Sequence, residues 1–169
     1  RLSDRERLGY TGHHPRWAIA YKFESPQGQT RVIGIDVQVG RSGRITPVAR
    51  VEPVAVGGTT IQNVTLHNQA YIDALELAVG DTVTVSRRGD VIPAVESVVE
   101  KGDGLVWHLP ESCPSCSGTL IQDGAHHFCT NFFCRDRVLG RLRFFVGRDQ
   151  MDIDGLGAET LDFLWQEGM

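Results

Sequence analysis

Four cysteines and two lysines carry the most readable chemistry in this chain of 169 residues. Cys113, Cys116, Cys129 and Cys134 are spaced C-x2-C-x12-C-x4-C. Two close pairs joined by a loop can meet as a tetrahedron of thiolates, the ligand set of a structural zinc ion that keeps no open position for catalysis. Between the outer cysteines there are few large apolar residues, so a fold there needs the metal, whose binding is worth on the order of 10–16 kcal/mol in zinc-finger peptides. Disulfides are the competing reading, disfavoured because the N-terminus RLSDRERLGY is charged and has no secretory signal. His126 and His127 are read as loop residues, because four sulfurs already complete a shell. Lys101 opens the stretch KGDG. A lysine presented on such a turn is a candidate nucleophile, yet Gly102, Asp103 and Gly104 have the chemistry of a tight hairpin connection.

Positioning these groups requires a scaffold, and the alternation of apolar residues points to strands. WAIAYKF (17–23) places Trp17, Ile19, Tyr21 and Phe23 on one face, the pattern of a half-buried strand. RVIGIDVQV (31–39), RITPVARVEPV (44–54), TTIQNVTL (59–66), TVTVS (82–86), VIPAVESVVE (91–100) and LVWHL (105–109) continue the pattern, separated by Gly-containing turns such as Gly57-Gly58 and Gly89-Asp90. Asn68 is a good N-cap for a short helix, QAYIDALEL, that ends near Gly80. Five or six short strands with one brief helix between the third and fourth predict a mainly β fold, a small Greek-key barrel. After Pro110 the pattern changes to the cysteine segment. A basic amphipathic helix follows over RDRVLGRLRFFV, with Val138, Leu142, Phe145 and Val146 at helical spacing. A Gly-containing hairpin over MDIDGLG then feeds a second helix.

Hydrophobic residues make up 41% and charged residues 22% of the chain, the balance of a soluble globular protein. No apolar run approaches the roughly 18 residues that suggest a membrane span, so a cytoplasmic location is expected. The first residue is Arg rather than Met, as in a segment cut from a longer chain. The net charge of −4 hides a partition: residues 1–50 carry nine basic and four acidic side chains, and residues 51–112 carry three and nine. Residues 135–148 hold five arginines against one aspartate, and the last 21 residues hold six acids and no base. The basic clusters are almost entirely Arg, whose planar fork donates two parallel hydrogen bonds to phosphate oxygens. Local clustering of this kind, rather than net charge, makes an electrostatic footprint for nucleic acid.

The segments RLGYTGHHPRWAIAYKF, VQVGRSGRITPVARVEPV, TLHN and GDVIP, the four-cysteine pattern and MDIDGLG occur in this order. Together they resemble the bacterial NAD-dependent DNA ligases over essentially the whole chain. The resemblance implies four parts: residues 1–26 as the last strand of an adenylation domain, 27–109 as an OB-fold, 110–135 as a four-cysteine zinc finger, and 136–169 as the start of a helix-hairpin-helix domain. It places the family's nucleophilic K-x-D-G lysine far upstream, so Lys101 is a decoy, no catalytic residue is expected in this segment, and the segment alone is expected to be inactive. By the same resemblance Lys22 in AIAYKF contacts the phosphate of the bound adenylate, where a cation stabilises charge on phosphorus. Glu24 departs from the family's usual Pro.

DNA contacts are implied at Arg41, which matches the family's barrel arginine near the nick, and at Arg44 on the same Gly-flanked loop. Arg87 matches the family's basic residue before GDVIP, whereas Arg88 stands where many relatives carry Ala. Val91 and Ile92 resemble apolar residues that meet the minor groove. Asn63 and His67 are either structural or DNA-facing. Gly155 and Gly157 resemble the hairpin glycines that let backbone N–H groups approach a phosphate; Asp152 and Asp154 can be read as metal ligands, but capping and turn roles are the expected ones. The full-length enzyme would use NAD and Mg²⁺ besides structural zinc, seal nicked double-stranded DNA in replication and repair, engage the adenylation domain of the same protein, and act as a monomer. The alternative is a non-catalytic OB and zinc-ribbon module for single-stranded nucleic acid. Its stacking platforms would have to be Tyr71 and Trp107.

Overall fold

The computed structural model of the chain describes residues 2–19, 21, 25–88 and 92–168. A short helix α1 (Leu2–Leu8) and a minimal hairpin, β1 (Tyr10–Thr11) with β2 (His14–Pro15), precede the main sheet. Then follow β3 (Gln27–Val39), β4 (Arg44–Val56), β5 (Thr59–Thr65), helix α2 (Gln69–Leu75), β6 (Thr82–Arg88) and β7 (Ile92–Glu100). The cysteine segment contributes β8 (Leu120–Asp123) and β9 (His126–Cys129), and two helices close the chain, α3 (Arg135–Val146) and α4 (Ala158–Gln166). No helix among the described residues is long and apolar enough to cross a membrane.

The barrel closes because β3 serves two neighbours. Its first half pairs antiparallel with β6, from Gln27↔Ser86 to Arg31↔Thr82. Its second half pairs with β4, from Val32↔Val51 to Val39↔Ile45, with a register irregularity between Val32 and Gly34. An irregularity of this kind bends a strand and raises its twist, which lets one strand leave one sheet and enter another. The circuit β3-β6-β7-β5-β4 returns to β3, and β5 meets β7 in parallel at Thr65↔Ala94. That is the OB topology. Val51, Val64, Leu66, Val83, Val85 and Val95 fill the interior, each worth roughly 1.5–3 kcal/mol when fully removed from water. Helix α2 plugs one end with Ile72. Its predicted cap is present: Asn68 Oδ1 accepts from the Tyr71 N–H at 2.9 Å.

Lys101 takes part in this plug. Helix α2 ends at Glu76 in the left-handed region (φ 48°), and Lys101 Nζ donates to the orphan carbonyls of Leu75, at 3.3 Å, and Glu76. A cation at a helix C-terminus satisfies those groups and complements the dipole. The fully buried Asp81 accepts from the Ala78 N–H at 2.9 Å and the Gly102 N–H at 2.7 Å, and lies 3.8 Å from Lys101 Nζ. The lysine is held by backbone carbonyls and a buried carboxylate.

Several expectations need correction. Residues 101–104 are not a hairpin turn, because 105–109 forms no strand beyond one bridge, Ala78↔Val106. Its backbone groups are taken by α2 and its flank: Trp107 N–H donates to Leu77 O at 2.9 Å, and the Gln69 amide holds both Trp107 O and Leu109 N–H. The strand read at 17–23 is also absent among its described residues. Ile19 is 99% and Tyr21 79% exposed, and no described strand lies alongside to complete a ladder, without which an apolar strand does not persist. On α3, Leu142 and Val146 face inward as expected, but Leu139 rather than Val138 is buried with them and Phe145 is not. Leu139, Leu142 and Val146 pack with Leu161 and Trp165 of α4. His126 and His127 lie on strand β9 rather than in a loop.

The glycines around Asp81 are packing requirements. A Cβ on Gly102 would sit 2.7 Å from the Gly80 carbonyl carbon, and one on Gly104 2.5 Å from Val79 O. We expect Gly102→Ala to destabilise the barrel by about 1–3 kcal/mol. Lys101→Ala, at a half-exposed cap, should cost less than about 1 kcal/mol. Urea unfolding followed by tryptophan fluorescence measures both; equal losses would refute this account of the loop.

Candidate metal centre and nucleic-acid interface

The four cysteine sulfurs converge. All lie within 4.8 Å of one another, with Cys113 Sγ 3.9 Å from Cys134 Sγ and Cys116 Sγ 3.6 Å from Cys129 Sγ. A tetrahedral zinc with Zn–S bonds of about 2.3 Å requires sulfurs roughly 3.8 Å apart, whereas a disulfide requires about 2.05 Å. All four are free thiols, and three are buried. This donor set fits zinc, and the sulfurs stand too far apart in this structure for a disulfide. Turns bring the ligands together: Ser117 N–H returns to Cys113 O and Cys113 N–H to Gly118 O, both at 2.8 Å. The hairpin β8–β9 carries Cys129.

Their acidities are uneven. The Gly118 N–H, pointing at the Cys116 sulfur, lowers that thiol to about 7. Burial pushes Cys129 up to about 12 and raises Cys113 as well. Cys116 therefore holds its proton below about 7 and Cys129 holds its own throughout the neutral range, and a metal must displace them to bind.

The cluster is continuous with the barrel. Strand β9 pairs with the start of β4, Arg44↔Phe128 and Ile45↔His127, so the knuckle hairpin extends the barrel sheet. Ile45 is buried in the same cluster as Cys113, Cys129 and Cys134, with Val37, Val39 and Leu109 packed around it. Helix α3 starts directly from Cys134. Arg137 Nη1 donates to Cys129 O at 2.8 Å and Asn131 O at 3.0 Å. The β3–β4 loop lies against the same helix. A Cβ on Gly140 would be 3.2 Å from Arg41 Cα, and one on Gly43 2.4 Å from Cys129 O. The Arg41 guanidinium stacks on the Phe144 ring, 3.5 Å from its centroid.

The expected contact residues fall into three places. Arg41 sits on the β3–β4 loop and Arg44 opens β4, both beside the knuckle. Arg87 sits at the other end of β3, next to Pro26, with Nη1 donating to Thr59 Oγ1 at 2.8 Å and Gly57 O at 3.4 Å. It lines a shallow cleft with Thr60, Asn63 and Pro93. Ile92, at the start of β7, is half exposed. Lys22 and Val91, and the Arg88 side chain, lie outside the described residues. His67 is in the left-handed region (φ 59°) with its ring edge-on to Tyr71. Gly155 (φ 78°) turns the loop before α4 and Gly157 caps that helix. Asp154 accepts from the Gly155 N–H at 3.0 Å.

The stacking of Arg41 on Phe144 was not legible in sequence, because the two residues are 103 positions apart and a helical phenylalanine ordinarily reads as core. The same holds for Arg141, whose guanidinium covers the Phe132 ring at 4.1 Å.

Residues 29–104 match the family model described as the NAD-dependent DNA ligase OB-fold domain. The chain is 53% identical over 163 residues to a DNA ligase of Borrelia garinii subsp. bavariensis, covering 96% of this chain and 25% of that protein. It is 46% identical over 166 residues to a DNA ligase of Leptospira interrogans, covering 97% and 24%. It thus spans about a quarter of the length of these relatives.

The thiol acidities set a direction for pH. Zinc affinity, measured by competition with a chromophoric chelator, should fall as pH drops below about 7, by more than one decade per pH unit, since more than one proton is displaced. Removing the metal, or Cys134→Ser, should abolish the α3–barrel contact, read as loss of protection from proteolysis within residues 110–146. An unchanged digestion pattern would refute the metal's role in that contact.

Proposed function

Given that the chain belongs to the NAD-dependent DNA ligase family, we propose that it is the DNA-engaging middle of such an enzyme, holding nicked duplex while a nucleotidyl-transferring part elsewhere in the protein performs the covalent steps. The observation that carries this reading is the Arg41–Phe144 stack. The ring under the guanidinium, on a loop packed against the knuckle and α3, holds Arg41 in place before a ligand arrives, and its N–H donors match phosphate oxygens.

The second support is separation. Arg41 and Arg44 lie at one end of the 13-residue strand β3 and Arg87 at the other, so the arginines are spread along the barrel rather than gathered in one pocket. Contacts from such a row go to the backbone and carry no base specificity. Ile92 and Val91 would meet the minor groove, and the loop of Gly155 and Gly157 a further phosphate.

The zinc ion is structural, held by Cys113, Cys116, Cys129 and Cys134. In the complete enzyme NAD supplies the adenylyl group and Mg²⁺ assists its transfer, with Lys22 as this segment's contact to the adenylate phosphate. The protein works as a monomer in the cytoplasm, sealing nicks during replication and repair, with this segment and its own adenylation domain enclosing the DNA. The single-strand module is the weaker reading, because Tyr71 and Trp107 pack against the barrel core and do not offer open ring faces.

Binding to nicked duplex and to single strand, followed by fluorescence anisotropy across a salt series, tests this. The duplex should bind more tightly, and Arg41→Ala should reduce the slope of log K against log salt by about 0.9. Incubation with labelled NAD should leave no covalent adenylate. Label on Lys101, or tighter binding to single strand, would overturn the proposal.

A further inference from the structure

The knuckle tip carries two phenylalanines that the DNA grip described above does not use. Phe132 and Phe133, in the turn between β9 and α3, are 61% and 79% exposed. Their rings meet edge to face, 5.6 Å between centroids at 83°. Neither hangs loose. Arg141 lies over Phe132 and donates to its carbonyl at 2.8 Å. Asn131 Oδ1 accepts from the Phe133 N–H at 3.0 Å, and the buried Cys134 follows at once. Adjacent exposed rings fixed by a metal-ligand turn form an apolar projection prepared for contact.

The surroundings identify the occupant. The arginines of α3 divide by face, at about 100° per residue. Arg135 and Arg143 point to α4, where both pair with Asp162. Arg137 and Arg141 point to the knuckle, where carbonyl oxygens orient them without neutralising them. Among the described residues Arg41, Arg137 and Arg141 have no carboxylate partner. An apolar projection beside three uncompensated guanidinium groups fits a ligand with an accessible apolar interior between two anionic rails. Duplex DNA presents that at its minor groove. Single-stranded bases would need open ring faces, and Arg141 already covers one face of Phe132. Two rings set at 83° to each other make a narrow apolar tip, the shape of a wedge.

We propose that Phe132 and Phe133 form a wedge that enters the minor groove of the bound duplex, with Arg141, held on Phe132, contacting the flanking phosphate. This rests on the duplex grip proposed above and extends it to the knuckle tip.

The whole chain, loaded with zinc, is titrated with nicked duplex across a salt series as wild type, Arg41→Ala, Arg141→Ala and the double variant F132A/F133A. The double variant should bind roughly tenfold more weakly or worse, with the salt slope unchanged and zinc content retained. Arg141→Ala should reduce the slope by about 0.9. Independently of any variant, a duplex carrying 2-aminopurine at successive steps should brighten at one of them when wild-type protein binds, because a wedge unstacks bases. If Arg41→Ala lowers the slope but F132A/F133A binds like wild type, or no step brightens, the wedge is wrong and the grip stands. If the double variant weakens only single-strand binding, the rings are a stacking platform and the wedge is wrong. If wild type shows no salt-dependent duplex binding, the grip and the wedge fall together.

Discussion

The cysteine cluster and the end of the β3–β4 ribbon share one buried core, and most of what the chain does depends on that shared core. Ile45 packs among the sulfurs, β9 continues the barrel sheet through Arg44↔Phe128, and α3 departs from Cys134. Three elements with little apolar surface of their own are thereby tied to one point. Four thiols alone would not hold it, since buried thiols keep their protons and repel when ionised. A divalent cation bound there would remove both problems and stiffen the junction.

A stiff junction fixes where charge is presented. The loop bearing Arg41 touches α3 at Gly140, where an added Cβ would sit a tight 3.2 Å from Arg41 Cα, and its guanidinium rests on Phe144. On the far side of α3, Arg135 and Arg143 spend their charge on Asp162. The helix thus uses arginine in two ways, as an internal tie to α4 and as outward positive potential toward the knuckle. The barrel provides the counterpart stiffness at its own end. Asp81 and Lys101 hold the residues after β7 against the C-terminus of α2 through backbone groups, and that position accounts for Lys101 without any nucleophilic role.

Much of this was legible in the sequence. The period-two alternation from 31 to 100 specified the barrel strands, because side chains that alternate can bury one face only as strands. Asn68 announced the cap of α2, the cysteine spacing announced a four-thiolate centre, and the arginine-rich stretch from 135 coincided with α3. The alternation at 105–109 was the same signal and misled. An alternating segment becomes a strand only if a partner's ladder is available, and near 105–109 the Gln69 side chain took the hydrogen bonds instead.

By itself, then, the sequence determined the strands of the barrel, the four thiols that could share a metal and the sign of the charge in each region, since these follow from local periodicity, chelate spacing and residue type. Only the tertiary structure decided which arginines face outward and which are neutralised, that Arg41 is braced by a phenylalanine 103 residues away, and that Phe132 and Phe133 project rather than pack. Those outcomes depend on which surfaces meet when barrel, knuckle and helices close on one core, and no spacing along a single chain encodes that encounter.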